Sequence, residues 1–362
     1  MHMADALLAP AVAATMYVAS AATVGVSIAK LRKEEKQGLE STSKKLPAMA
    51  VMAALVFAGQ MINYTIPGTG SSGHMCGGMM LSGVLGPWAG FLSMVVILTI
   101  QCLFFADGGL MALGANCWNM AFYGCFVGYF LIYRPIMRSN LFASKGVNAA
   151  NRIKIVLASI LGCVITLQLG AFSVVLETTA SGITALPFGT FCALMQPIHL
   201  AIGLIEGIIT SAVLLFIYET RPELLSAVKM DGEVKGKCSM KTTIAILAVV
   251  VAVVGGGLSL IASGNPDGLE WALFGNEEAG YSANMSLDED DFGLSSSASE
   301  KAEAIQEKTA FLPDYAFASD DENPAGTTVS GIVGSAMVAG VAALVCLAGG
   351  FFRKKKTADE AK

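Results

Sequence analysis

Met1 and His2 open the chain, and His74 and His199 are its only other histidines. A free terminal amine, the next peptide nitrogen and an imidazole can close two fused chelate rings on one cation. The donors are then the Met1 α-amine, the His2 backbone nitrogen and a His2 ring nitrogen, nearly coplanar. One equatorial position stays open, and a second imidazole completes a planar nitrogen set. Tetragonal nitrogen coordination suits Ni(II) or Cu(II), whereas a tetrahedral ion such as Zn(II) gains less from it. The amide must lose its proton to bind in this way, so affinity rises with pH. The plainer alternative is an exposed histidine on a frayed end.

His74 lies in NYTIPGTGSSGHMCGGMM, a glycine-rich connection able to bring backbone close to a ligand. The Cys76 thiol two residues on reads as buried and inert. His199 belongs to QPIHLAIGLIEGIIT, where Gln196, His199, Gly203, Glu206 and Thr210 are spaced 3, 4, 3 and 4 and form one helical stripe. A carboxylate deep in a bilayer costs about 2.5–3.5 kcal/mol on insertion scales unless paired or wetted. Glu206 therefore reads either as an ion-path group or as a polar clamp between helices. Asp107, in FFADGGL, and Glu177 read as interfacial or capping groups. Asp5 reads as the cap of the first helix. Asn63, Asn116 and Asn119 are polar groups at helix ends, the last two suited to bonding loop backbone or supporting an imidazole.

The elements that must position these residues are membrane spans. Of 362 residues, 54% are hydrophobic and only 14% charged, against about a quarter charged in a soluble domain. Apolar runs fall near 6–29, 47–64, 75–86, 87–106, 110–133, 153–176, 197–218, 242–262 and 329–352. The third is short, and Gly86-Pro87 marks a turn between it and the fourth. With the amino terminus outside, 21 of the 23 lysines and arginines fall on the cytoplasmic side, and only Lys301 and Lys308 do not. The first run lacks basic residues before it and exceeds a usual signal core, so it reads as a retained span despite Ala19-Ser20-Ala21. Eight scattered cysteines without a C-x-x-C pair form neither a disulfide framework nor a zinc signature.

Residues 263–328 differ in kind, holding 15 of the 28 acids, including the DEDD run at 288–291. The middle reads as disordered or weakly ordered, while the ends, with Trp271, Phe274, Phe311 and Tyr315, can pack on the protein or the interface. The expected fold is an all-α polytopic membrane protein: a seven-helix metal-binding body (1–225), a cytoplasmic linker (226–241), a two-helix appendage (242–352) with the acidic external loop, and a basic cytoplasmic tail (353–362).

MH with Asp5, SSGHMCGG, ALGANCWNMAF and QPIHLAIGLIEGIIT, in this order, resemble the CbiM/NikM family, the substrate-binding membrane component of energy-coupling-factor (ECF) nickel/cobalt transporters. The resemblance covers about residues 1–220 and implies metal binding by Met1, His2 and His74. Family starts commonly read closer to MHIPDGFL, and Met3, Ala4, Ala6 and Leu7 depart from that. NPDGLEW and LPDY make 242–352 similar to the accessory CbiN/NikN-like PDGLE component of the same systems, here fused, a type that leans toward nickel. The implied function is capture of Ni(II) or Co(II) outside the plasma (inner) membrane for ATP-driven import. No G-x-x-x-x-G-K-[ST] loop is present, so ATP hydrolysis is expected on two separate cytoplasmic ATPase subunits joined through a transmembrane coupling protein. Ala50, Ala54 and Ala58 on the second helix, and Ala21, Gly25 and Ala29 on the first, form small-residue ridges suited to a partner helix or to internal packing. No enzymatic activity and no nucleic-acid partner are expected.

Three rivals remain. An ion-coupled divalent-metal carrier would use Glu206 and need no ATPase. A rhomboid-like serine protease would use Ser72, in Gly70-Ser71-Ser72-Gly73, with His199 as its base. A metal sensor lacks any signalling domain, and no H-E-x-x-H motif supports a zinc protease.

Overall fold

The computed structural model describes residues 1–36, 42–182, 187–228, 236–282, 293, 296–320 and 323–359, with backbone alone for 35–36, 42–46 and 345–359. The helices are α1 (Pro10–Lys36), α2 (Thr42–Gln60), α3 (Gly78–Leu85), α4 (Pro87–Phe105), α5 (Leu113–Arg138), α6 (Val147–Ala180), α7 (Phe188–Thr220), α8 (Met240–Gly256), α9 (Gly268–Phe274), α10 (Ser297–Thr309) and α11 (Pro324–Asp359). Seven of them are long and apolar enough to cross a membrane, among the described residues. The protein is an all-α polytopic membrane protein, with a body of α1–α7 and an appendage built on α8 and α11. One small hairpin interrupts it, with β1 (Tyr64–Ile66) antiparallel to β2 (Ser71–Gly73).

The expected runs become helices with two informative differences. Pro10, at the start of α1, suits the first helical turn because its missing N–H is not needed there. Asp5 instead sits in a separate 3₁₀ turn, Asp5–Leu7, and does not cap α1. The third run yields only the eight residues of α3, a rise of about 12 Å, less than half of the roughly 30 Å apolar core. The chain from β2 to α3 therefore dips into the bundle instead of lying over it. Gly78 meets Gly124, midway along α5, so closely that a Cβ on Gly78 would stand 3.2 Å from the Gly124 Cα. Gly86, at φ 82°, turns the chain from α3 into α4 as Gly86-Pro87 indicates.

α6 and α7 form the broadest helix pair. Gly203 and Gly207 let α7 approach α6, where added Cβ atoms would fall 2.9 Å from the Val164 Cα and 2.7 Å from the Ile160 Cα. The Gln168 and Gln196 amides each donate to the other's main-chain carbonyl, at 2.8 and 3.3 Å.

The appendage packs on α2, which both α8 and α11 flank. Ala54 and Ala58 are buried there, and Gly255 of α8 lies over Ala58. Ala50 is half-buried. This chain therefore covers the α2 ridge itself. On α1, by contrast, Ala21, Gly25 and Ala29 are exposed.

The acidic loop is more ordered than its composition suggests. Ser296 and Ser299 form a reciprocal cap for α10, and Ser299, Ala302 and Gln306 give that helix one buried face. Helix-forming Ala, Glu, Lys and Gln with a cap outweigh the high charge here. Residues 283–292, with the DEDD run, lie outside the described residues. The aromatic ends dock as expected: Tyr315 stacks on Phe105 at 4.9 Å between ring centroids, and Phe311 meets Phe104 at 5.8 Å.

Candidate metal-binding site

The amino terminus does not fray. It is threaded between α4, α5 and the appendage, and Met1 and Met3 are buried. Asn116 holds it from α5: its Oδ1 accepts from the Met3 N–H at 2.8 Å and its Nδ2 donates to the Met3 carbonyl at 3.1 Å. The Gly109 N–H donates to the same carbonyl at 2.9 Å, and Asp5 Oδ1 accepts from the Ala112 N–H at 2.9 Å. The paired glycines of FFADGGL are what admit the terminus. Gly108 sits at φ +80°, and a Cβ on Gly109 would fall 1.8 Å from Asp5 Oδ1. Asn119 serves differently, donating to Glu177 Oε2 at 2.7 Å. Neither asparagine supports an imidazole.

His74 reaches the same place from the dipping chain. The His2 and His74 rings are stacked, 5.2 Å between centroids with 21° between planes. His74 Nδ1 lies 3.0 Å from the Met75 carbonyl, a bond that sets the tautomer and leaves Nε2 with its lone pair. Glu206 fastens this segment from α7: its two oxygens accept from the Cys76 N–H at 2.7 Å and the Gly77 N–H at 2.9 Å. Of the two roles read for Glu206, the geometry is that of the clamp, made to backbone.

Two carboxylates complete the cluster. Asp267 Oδ2 accepts from the Met1 amine at 2.7 Å, and Asp107 Oδ1 lies 3.1 Å from His2 Nδ1. Asp107 is held in turn by the Tyr315 hydroxyl at 2.5 Å. Asp267 is aimed by its own surroundings. It caps α9 in a reciprocal box with Glu270. The Ser72 N–H donates to the Pro266 carbonyl at 2.8 Å, and the Ser72 hydroxyl to the Asn265 carbonyl at 2.7 Å. Ser72 is thus occupied in fastening NPDGLE to β2. His199 Nδ1 bonds the Met195 carbonyl at 2.8 Å, and the serine–histidine pairing a protease needs is not formed. Asp107 and Asp267 are the residues that sequence reasoning missed at this site, one read as interfacial and the other seen only as part of a motif.

A cavity of about 10 Å³ lies among Met1, Gly73, His74, Cys76, His199 and Asp267, room on the order of one water molecule. An ion fits that scale and an organic ligand does not. Gly268 closes it, since a Cβ there would stand 3.0 Å from His199 Cε1. His199 Nε2 and His2 Nε2 are buried without hydrogen-bond partners. Asn63 stays outside the cluster; its carbonyl accepts from the Ser263 N–H at 2.7 Å.

The electrostatics keep the imidazoles neutral. Burial first, and then the terminal ammonium, push His2 down to about 3. The same two causes and the neighbouring His2 lower His74. The His2–Asp107 contact is therefore a hydrogen bond and not an ion pair. Burial opposes the charge on the Met1 amine, but Asp267 outweighs it and holds the amine above its ordinary value. Burial likewise opposes the Asp267 charge, and the ammonium beside it keeps that carboxyl well below the usual range. The site thus offers one primary amine, two neutral imidazoles and the intervening His2 peptide nitrogen. Ring closure through that peptide nitrogen requires Nδ1 of His2, six atoms around counting the ion; Nε2 lies on the far side of the ring.

The family model described as the cobalt uptake substrate-specific transmembrane region, CbiM, matches residues 2–224. The PDGLE domain matches residues 241–349. A protein of Archaeoglobus fulgidus named "Putative fused nickel transport protein NikMN" is 35% identical over 93% of this chain and 95% of its own length. The "Fused nickel transport protein NikMN" of Rhodobacter capsulatus is 28% identical over 93% of this chain and 95% of its own. A solved structure of a truncated transition metal transporter is 32% identical, covering 60% of this chain and 98% of that one with a TM-score of 0.48. With its first 224 residues matched almost end to end, the chain belongs to the CbiM family of cobalt uptake substrate-specific transmembrane regions, and a PDGLE domain follows in the same polypeptide.

Proposed function

We propose that this protein captures Ni(II), or Co(II), on the outer side of the plasma membrane as the substrate-specific component of an ECF-type importer. The ion is the substrate, taken by the Met1 amine, the His2 peptide nitrogen, His2 Nδ1 and His74 Nε2. The observation that carries this reading is the stacking of His2 on His74 at 5.2 Å beside the Met1 amine, which two distant segments of sequence bring together. Neutral imidazoles and a planar nitrogen set favour nickel, in keeping with the nickel transport named for both NikMN relatives. His2 Nδ1 carries the proton it donates to Asp107, so to offer its lone pair it must give up that bond, with the imidazole proton carried instead on Nε2.

Import then draws on ATP hydrolysed by two partner subunits, engaged through a transmembrane coupling protein. The exposed small-residue ridge of α1, with open space around Gly25, is the docking face that fits such a partner, since α2 is covered. The 21 basic residues that the sequence places in connections on one side of the spans support an outside amino terminus and a cytoplasmic carboxyl end. The ion-coupled carrier finds less support, because both Glu206 oxygens are engaged by backbone N–H groups.

The deciding experiment is Ni(II) binding to purified protein with its intact start and with the Met1 amine acetylated. Acetylation removes the amine donor of the short amine–amide–imidazole chelate and keeps every side chain. Loss of binding and of the planar d–d absorption band is expected. Undiminished binding would move the site to His199 and abandon the terminal chelate.

A further inference from the structure

At the pole opposite Met1 the helices leave a second, much larger cavity of about 660 Å³, within the range of small-ligand sites. Its floor is the Gly86-Pro87 turn with Trp88 and Ala89, and its wall is Tyr129 and Phe130 of α5. Three arginines line it: Arg134 and Arg138 from the last turns of α5, and Arg221 just beyond α7. Lys30 adds a fourth positive charge at the rim, 5.8 Å above the Trp88 ring.

Among the described residues, the charges around this cavity do not balance. Glu223 pairs with Arg221, and even so the Arg221 Nε is buried without a hydrogen-bond partner. Glu34 also lines the cavity, so that among the described residues two carboxylates face four cations. Guanidinium groups grouped in a cleft match the bidentate geometry of a phosphate. The site also sits where a helix leaves the apolar layer: Leu131, one turn before Arg134, is 71% exposed and faces the lipid. A tryptophan at the same level is typical of the headgroup zone.

We propose that this cavity binds the phosphate headgroup of an anionic phospholipid. Arg134, Arg138 and Arg221 hold the phosphate, Trp88 and Phe130 flank the glycerol region, and the acyl chains lie along α5 past Leu131. A soluble phosphate would use the arginines and ignore the apolar approach. A phospholipid uses both, and basic pockets between membrane helices have this character in general.

The test uses full-length protein in detergent, mixed with vesicles of phosphatidylglycerol or of phosphatidylcholine and examined by native mass spectrometry. A second readout is quenching of Trp88 fluorescence by phosphatidylglycerol brominated on its acyl chains, against a Trp88→Phe control. Wild type is expected to retain about one phosphatidylglycerol and no phosphatidylcholine. R134Q/R138Q should retain roughly tenfold less or lower still. Because that variant changes net charge, Ala89→Trp, which narrows the cavity beside Trp88 and keeps every arginine, should also weaken lipid retention. Equal retention of both lipids, or undiminished retention in Ala89→Trp, would overturn the proposal. Displacement by millimolar inorganic phosphate without Trp88 quenching would show a soluble-anion site and also overturn it. Protection of Arg134 and Arg138 from an arginine reagent by a copurifying coupling protein, but not by phosphatidylglycerol, would make the cavity a protein-docking site and overturn it as well.

Discussion

Met1 and Asp267, 266 residues apart in sequence, meet at 2.7 Å through the terminal amine and one carboxylate oxygen. The amine is the first donor of the proposed chelate, and the carboxylate comes from the PDGLE domain. A coordinated amine keeps two N–H bonds, so Asp267 can go on orienting it after the ion binds. Before that, Asp267 favours the protonated form, and a proton and the ion compete for one lone pair.

The pH dependence of binding follows with a definite sign. His2 and His74 are neutral across the physiological range, so they contribute no inflection there. The amine lies above its ordinary value, and Ni(II) affinity should therefore rise with pH up to and through that raised value. Asp267→Asn keeps α9 capped, since asparagine caps as well as aspartate, but weakens the hold on the proton. The half-maximal pH for binding is expected to move down in this variant, as read by the d–d band across a pH series. An unmoved profile would separate Asp267 from the binding amine.

Removing imidazoles should sort the histidines. His2→Ala and His74→Ala are each expected to lower Ni(II) affinity by more than about a hundredfold, beyond what supporting groups usually contribute, and to abolish uptake. His199 lines the cavity but is not stacked on His2, and His199→Ala should weaken binding about tenfold at most. Isothermal titration of the three variants checks the order, and a reversed order would relocate the fourth donor to α7.

Glu206 offers a second contrast. In Glu206→Ala the Cys76 and Gly77 amides lose their acceptor inside the bundle, at about 1–3 kcal/mol for each buried group left unpaired. Thermal unfolding should show a clear loss of stability, and nickel binding should weaken as His74 loosens. Glu206→Gln keeps one acceptor and should retain both binding and uptake in large part. Intact binding with abolished uptake in Glu206→Gln would instead favour the ion-coupled carrier.

Asn116 tests whether the terminus must be held. Asn116→Ala removes two hydrogen bonds to Met3, each worth about 0.5–1.5 kcal/mol, and leaves Met3 groups buried without them. Amide hydrogen exchange in residues 2–8 should accelerate, and nickel affinity should fall about tenfold with the absorption spectrum unchanged in shape.

The spans were legible because hydropathy is local: each run carries its own signal, and Gly86-Pro87 announces its own turn. The pairing of the terminal dipeptide with His74 was legible because a glycine-rich loop on the same side had few other reasons to hold a histidine. The depth of that loop was not, since an eight-residue α3 and a full span begin with the same apolar letters. Nor was the fate of the α2 ridge, because a stripe of alanines does not say whether a neighbour belongs to its own chain. Asp107 and Asp267 escaped for a related reason. Each looks like an ordinary loop or cap acid until folding brings it beside a nitrogen far away in sequence. Their one visible mark was the glycine next to each, Gly108 and Gly268, placed where backbones crowd the terminus and His199.

The stretch between α7 and α8 covers only residues 221–239, and it settles a question of numbers. Two separate polypeptides would have to find each other in the plane of the membrane, and the fraction assembled would depend on how much of each was made. Joined by this short stretch, α8 and α11 meet α2 at an effective concentration on the millimolar scale expected of short linkers. Every body then carries its own PDGLE domain at a fixed ratio of one to one, whatever the level of expression. Cutting the polypeptide between 228 and 236 would restore the dilution penalty without removing a single contact described above.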